Sequence, residues 1–212
     1  MPNAPMVVDI YHGDRVTSFP DAFTAGVRGI IHKATTGRTG HDAEYTDRRK
    51  AAKSAGLLWG AYHWGTHVDV KKQVENFLKH AAPDDATLIA LDYESTPGNQ
   101  MTLDQAREFL SLLADKIGRR PVLYSGITIK DALGTKKDSF FGSHRLWLAQ
   151  YGPSATVQAS WSDYWLWQYT DGKKRPGTVH ETVPGIPGNS KGELDCNRFN
   201  GSEERLKTEW AA

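Results

Sequence analysis

Residues 87–95 read TLIALDYES, an apolar run that ends in Asp92 with a second carboxylate, Glu94, two positions on. In a strand, residues i and i+2 point to one face, so the two acids would stand side by side with α-carbons roughly 6.5–7 Å apart. Like charges that close are costly to bury. A single strand-end aspartate is commonly a turn former or a helix cap, but neither role explains two acids on one face of a buried strand. Such a pair can do general acid–base work, with one carboxyl kept protonated by burial and by its neighbour's charge. Cleavage of a glycosidic bond is the reaction that most commonly uses it. Asp9 follows MVV and Asp195 follows GEL, each late in a predicted strand as Asp92 is. In α/β barrels the chemistry gathers at the C-terminal strand ends, so a closed barrel would bring Asp9, Asp92, Glu94 and Asp195 around one mouth.

The elements that must position these acids are short. Apolar runs predict strands over 6–10, 27–33, 57–64, 87–94, 121–125, 145–151, 164–170 and 193–197. Helical patterns lie between the early ones. DAEYTDRRKAAKSAG ends in a glycine stop, and VDVKKQVENFLKHAAP spaces Val70, Val74, Phe77 and Leu78 helically. TLDQAREFLSLLADKIG starts on Thr102 as a cap, with Leu103, Ala106, Phe109, Leu110 and Leu113 along one face. Strand–helix alternation predicts an α/β protein, an irregular β/α (TIM-like) barrel of about eight strands in a single domain over 1–212. At 212 residues the chain is short for a full eightfold barrel, which needs ~250. Residues 152–163 lack helical periodicity, so few flanking helices are expected, with most missing from the second half. Residues 171–192 are rich in Gly and Pro and read as a long loop within the domain, its basic run GKKRPG a solvated stretch.

Composition removes several function classes. Lys plus Arg is 26 against 25 Asp plus Glu, a formal net charge of +1, which gives no electrostatic footprint for nucleic acid or a membrane surface. No apolar run approaches a membrane span. The start, MPNAPMVVDI, lacks the basic and apolar regions of a secretory signal. The expectation is a protein held in the cytoplasm until release, or one secreted with a leader absent from this sequence. The lone Cys196 excludes an internal disulfide and reads as structural. His63 and His67 are four apart but straddle WGT at a strand end, and no zinc motif is present. We therefore expect no metal and no cofactor, with His63 a hydrogen-bonded wall residue near the mouth. Trp165, Trp167 and Tyr169 share one strand face; core packing is expected for most, with one to stack on sugar.

Nine collinear pieces carry a resemblance: VVDIYHGD, GVRGIIHKATTG, GLLWGAYHWG, TLIALDYE, PVLYSG, RLWLAQYG, WLWQYTDG, VPGIPG and LDCNRFNG, spanning residues 7 to 201. The chain resembles glycoside hydrolase family 25, the Chalaropsis-type lysozymes. That resemblance implies an irregular β/α barrel and a monomeric muramidase acting on peptidoglycan glycan strands of the bacterial wall, in the manner of a phage or prophage endolysin or a secreted wall enzyme. It implies Glu94 as general acid and Asp92 as its partner, with Asp9 and Asp195 completing the acidic cluster. Tyr62 and Tyr124 match tyrosines of the family's groove, and His63, Trp147 and Gln168 complete the expected substrate-binding set. The aspartate-x-glutamate pair also resembles enzymes whose substrate supplies its own 2-acetamido nucleophile, which implies retention at the anomeric carbon. Two positions depart from the family's pattern: Tyr11 stands where a serine is usual, and Thr36 replaces the acid of the KATEG-like motif. Two alternatives are a glycan-binding module on the same fold, and a family 18-like chitinase. The latter places further aspartates where this chain has Leu88 and Ala90.

Overall fold

Eight strands close on themselves in the computed structural model, which describes residues 6–173 and 182–212. Part of the predicted 171–192 loop, including most of its basic run, lies outside the described residues. In chain order the elements are β1 (Val7–Ile10), α1 (Phe19–Thr24), β2 (Gly29–Thr36), β3 (Gly40–His41), α2 (Tyr45–Ser54), β4 (Leu58–Trp64), α3 (Val70–Ala81) and β5 (Leu88–Asp92). They continue with α4 (Leu103–Ile117), β6 (Val122–Ser125), α5 (Ile127–Leu133), α6 (Ser139–Gly142), β7 (Leu146–Ala149), β8 (Leu166–Thr170), β9 (Asp195–Phe199) and α7 (Glu203–Glu209). Around the barrel the order is β1-β2-β4-β5-β6-β7-β8-β9, with β1 pairing both β2 and β9, and β3 a short flap on β2.

All neighbours from β1 round to β8 are parallel, whereas β9 runs antiparallel to both β8 and β1. That corrects one expectation. Asp195 is not late in its strand; it is the first residue of β9. It still reaches the mouth because the reversed strand begins where the others end, and it pairs with Asp9. An antiparallel return needs no crossover, so the β8–β9 connection calls for no helix. The β7–β8 crossover carries no helix, as its missing periodicity predicts. Short α1, α5, α6 and α7 have no counterpart among the predicted helices, and the last three add to a second half expected to lack most of them.

Local signals hold the helices where the period placed them. Thr102 and Gln105 form a reciprocal capping box on α4, and Gly118 ends it in a left-handed conformation. Asp69 caps α3 by accepting from the Lys72 N–H. Strand alternation then sorts the core into two layers. One layer, including Val8, Ile10, Ile89, Leu91 and Leu123, packs against helix residues such as Phe77, Phe109 and Leu110. The other, including Val7, Ile31, Leu88, Ala90 and Val122, fills the barrel interior. At the bottom, Trp210 after α7 plugs the barrel and donates to the Trp59 carbonyl at 2.7 Å. A Cβ on Gly29 would lie 2.6 Å from its ring, so that glycine makes room for the plug.

Candidate active site

With the lower barrel filled by side chains, the inward positions one step further up carry the polar groups. Asp9 follows Val7 inward on β1, Lys33 follows Ile31 on β2, Tyr62 and Trp64 point in from β4, and Asp92 follows Ala90 on β5. Tyr124, Trp147, Gln168 and Asp195 come in from β6, β7, β8 and β9. With Glu94 and Tyr11 they line one cavity of about 300 Å³ at the C-terminal mouth of the parallel strands. All four predicted acids are therefore in one place.

β5 ends at Asp92, two residues short of the predicted strand, yet Glu94 still turns to the same cavity. The intervening Tyr93 is pinned to β6: its N–H donates to the Tyr124 carbonyl at 2.9 Å and its carbonyl accepts from Ser125 Oγ at 2.6 Å. That anchor preserves the alternation beyond the formal strand end. Glu94 is partly exposed, whereas Asp92 and Asp9 are buried.

Each acid has a distinct environment. Asp9 accepts three amide hydrogen bonds within 3.0 Å, from Gln168 Nε2 to both oxygens and from Asn197 Nδ2 to Oδ1. Those amides are held in turn. Trp147 Nε1 donates to Asn197 Oδ1 at 2.6 Å, and the Tyr124 and Tyr151 hydroxyls donate to Gln168 Oε1 at 2.8 and 3.1 Å. Burial nevertheless pushes Asp9 up to about 7, against the opposing pull of those hydrogen bonds. Burial, and then the charge of Glu94, push Asp92 well above the ordinary carboxylate range, while Lys33 pulls it down. Glu94 is raised by burial and lowered by Lys33. Asp195 is raised well above the ordinary range by burial and by Asp9. Among the described residues, Asp92 Oδ1 is a buried oxygen without a hydrogen-bond partner.

His63 is placed elsewhere. Its neighbours Tyr62 and Trp64 face the cavity, so His63 points out into the helix layer, stacked on Phe109 with ring centroids 4.9 Å apart. Thr35 Oγ1 lies 2.7 Å from Nδ1 and Gln73 Oε1 lies 3.1 Å from Nε2. Gln73 Nε2 donates to the Thr66 and Val68 carbonyls, so its Oε1 must accept and His63 Nε2 carries the proton. Burial holds the ring neutral, with its pKa lowered to about 4. The expected groove contact for His63 is thus corrected by the period of two. Trp165, Trp167 and Tyr169 do not line the cavity either. Trp165 packs near the plug, its ring 6.3 Å from that of Trp210.

Lys33, Trp64 and Asn197 also belong to the site, beyond the residues that the motifs single out. Trp64 and Asn197 were available by period, two residues beyond Tyr62 and Asp195. Lys33 had a weaker signal, a cation inside the apolar pattern GIIHKA. Tyr11, one of the two departures, lies on the cavity rim, whereas Thr36, the other, does not line it.

Residues 8–178 match the profile of glycosyl hydrolases family 25. The autolytic lysozyme of Clostridium acetobutylicum is 29% identical over 166 residues, 77% of this chain and 50% of that protein. The chain thus spans about half the length of this curated relative. Among solved structures, the bacterial lysozyme from Streptomyces coelicolor superposes with a TM-score of 0.83 at 23% identity, covering 100% of this chain and 99% of that one. The muramidase from Acremonium alcalophilum gives a TM-score of 0.79 at 25% identity, covering 97% of each chain. The family match extends over most of the sequence and takes in Asp9, Asp92 and Glu94, so the chain belongs to glycosyl hydrolases family 25.

Proposed function

We propose that the protein is a peptidoglycan muramidase, hydrolysing the β-1,4 bond between N-acetylmuramic acid and N-acetylglucosamine with retention at the anomeric carbon. The observation that carries this reading is the unpartnered Asp92 Oδ1, buried in the cavity that Glu94 also lines. A buried acceptor without a donor is costly, and the N–H of a sugar's 2-acetamido group is a donor of the right kind. In this reading Asp92 accepts that N–H and polarises the acetamido oxygen, which attacks the anomeric carbon. The bond to the leaving sugar breaks as Glu94 transfers its proton to the departing oxygen. Glu94, now a carboxylate, takes a proton from the water that opens the bicyclic intermediate. Burial and mutual repulsion oppose full ionisation of the pair, so it retains a proton, and an acetamido N–H donated to Asp92 favours the ionised form of that carboxyl and leaves the proton to Glu94.

Asp9 and Asp195 complete the acidic cluster, and Tyr62, Tyr124, Trp147 and Gln168 form walls against which the sugar packs. The protein acts as a monomer on the glycan strands of the bacterial wall and needs no cofactor. Support also comes from the relatives, whose names are lysozyme and muramidase.

The decisive experiment is clearing of purified cell walls by the wild type and by Glu94→Gln. General acid catalysis commonly contributes ~10²–10⁴-fold, so the folded variant should fall to near background. Near-wild-type clearing by the variant would refute the assignment, and no clearing by the wild type would favour a glycan-binding module. NMR of early products should show the retained anomer, and de-N-acetylated wall should resist cleavage.

A further inference from the structure

Lys33 is a cation in a cavity that, among the described residues, is otherwise lined by acids and neutral side chains. A register shift in β2 between Lys33 and Thr35, against the smooth run of β4, marks a bulge at this point. Bulges re-aim side chains beside active sites. Here the side chain lies at the mouth, with Nζ 4.3 Å from the centroid of the Trp64 ring. Trp64 is itself tethered, its Nε1 donating to Thr96 Oγ1 at 2.9 Å. Lys33 takes no part in the ion pairs among the described residues. The cation is held on an aromatic face, and Asp92 Oδ1 stays free.

We propose that Lys33 is a positioning residue: seated on Trp64, its ammonium sets the ionisation of the Asp92–Glu94 pair through space while leaving their oxygens to the substrate. The groups facing the pair are Asp9 from β1, Lys33 from β2, Tyr62 from β4, Tyr124 from β6 and Asp195 from β9. Of these only Lys33 can supply positive charge. The charge of Lys33 lowers both carboxyls, against the burial that raises them. Substrate-assisted cleavage needs Asp92 ionised and Glu94 protonated together. A direct Lys33–Asp92 salt bridge would satisfy the first need but occupy the oxygen that must receive the acetamido N–H. The π-face of Trp64 supplies attraction without consuming a carboxylate lone pair.

The catalytic consequence rests on the muramidase reading, but the electrostatic claim can be tested without it. ¹³C NMR titration of the Asp92 and Glu94 carboxyls, in the wild type and in Lys33→Met, reads ionisation in the absence of any substrate. Both midpoints should rise by about one pH unit or more in Lys33→Met, as expected when a nearby opposite charge is removed. Lys33→Arg keeps the charge and can stack on Trp64, so its midpoints should stay near those of the wild type. Unchanged midpoints in folded Lys33→Met overturn the inference, whether or not the wild type clears walls. If the wild type clears walls, both limbs of the pH–rate profile should move to higher pH in Lys33→Met. A loss of rate with unmoved limbs would show a merely structural role and would also overturn it.

Discussion

Replacing Asp9 by asparagine removes one buried titrating carboxyl and changes little else in shape. The folded protein holds Asp9 at about 7 against an ordinary value of 3.8. Between those values the native state keeps a proton that the unfolded chain has released, so wild-type stability falls as pH rises through the window. Raising a pKa from 3.8 to about 7 corresponds to at most about 4 kcal/mol, at about 1.36 kcal/mol per pH unit. Part of this is shared with Asp195, which Asp9 also raises. A gain of Asp9→Asn over the wild type of roughly 2–4 kcal/mol across the window is therefore expected. The absolute profile is not diagnostic, because His32 and His63 pull the other way. Each is buried with its pKa lowered from 6.5 to about 4. Their contribution is present above the unfolded value and is lost as pH falls through the folded one. The difference between variant and wild type cancels the histidines. The changed hydrogen bonding with Gln168 and Asn197 sets the offset of that difference, and the titration sets its slope. Urea unfolding followed by tryptophan fluorescence, from about pH 4.5 to about pH 7.5, reads the slope directly. Parallel stability curves for the two proteins would refute the reasoning.

Asp92→Asn should reduce wall clearing at least about 100-fold while leaving the fold intact, because it removes the charge that polarises the acetamido group. Comparable clearing rates would argue against substrate assistance. His63→Leu strips the Thr35 and Gln73 partners and should lower stability by roughly 2–4 kcal/mol. Its KM for soluble glycan should match the wild type, since the ring faces the helix layer; a selective rise in KM would contradict that placement. Trp210→Ala opens the barrel floor and should cost about 3–5 kcal/mol by chemical denaturation, with activity retained well below the lowered Tm. Wall clearing should persist in EDTA; loss on chelation with rescue by one divalent ion would overturn the metal-free reading.

Most of the barrel was legible in the sequence because its signals are local. Strands such as 57–64 and 121–125 announce themselves as apolar runs between turn residues, and Thr102 with Gln105 caps α4 through contacts three residues apart. Asp9, Asp92 and Glu94 could be placed at the mouth because a parallel strand's end is a position along the chain. Strand direction is different. Nothing in LDCNRF tells which way β9 runs, so the pattern places Asp195 on the right rim but at the wrong end of its strand. The inward or outward sense of a strand is likewise settled only by which neighbours cover each face. That choice put Tyr62 in the cavity and His63 against Phe109. The sequence by itself determined the barrel class, the helices α2, α3 and α4 and the acids at the strand ends, through periodicity, caps and turn chemistry. Only the tertiary structure decided the reversal of β9, the seat of Lys33 on Trp64 and the amide cage around Asp9. Each of these joins residues far apart in the chain, and a local pattern carries no information about contacts that exist only once the barrel has closed.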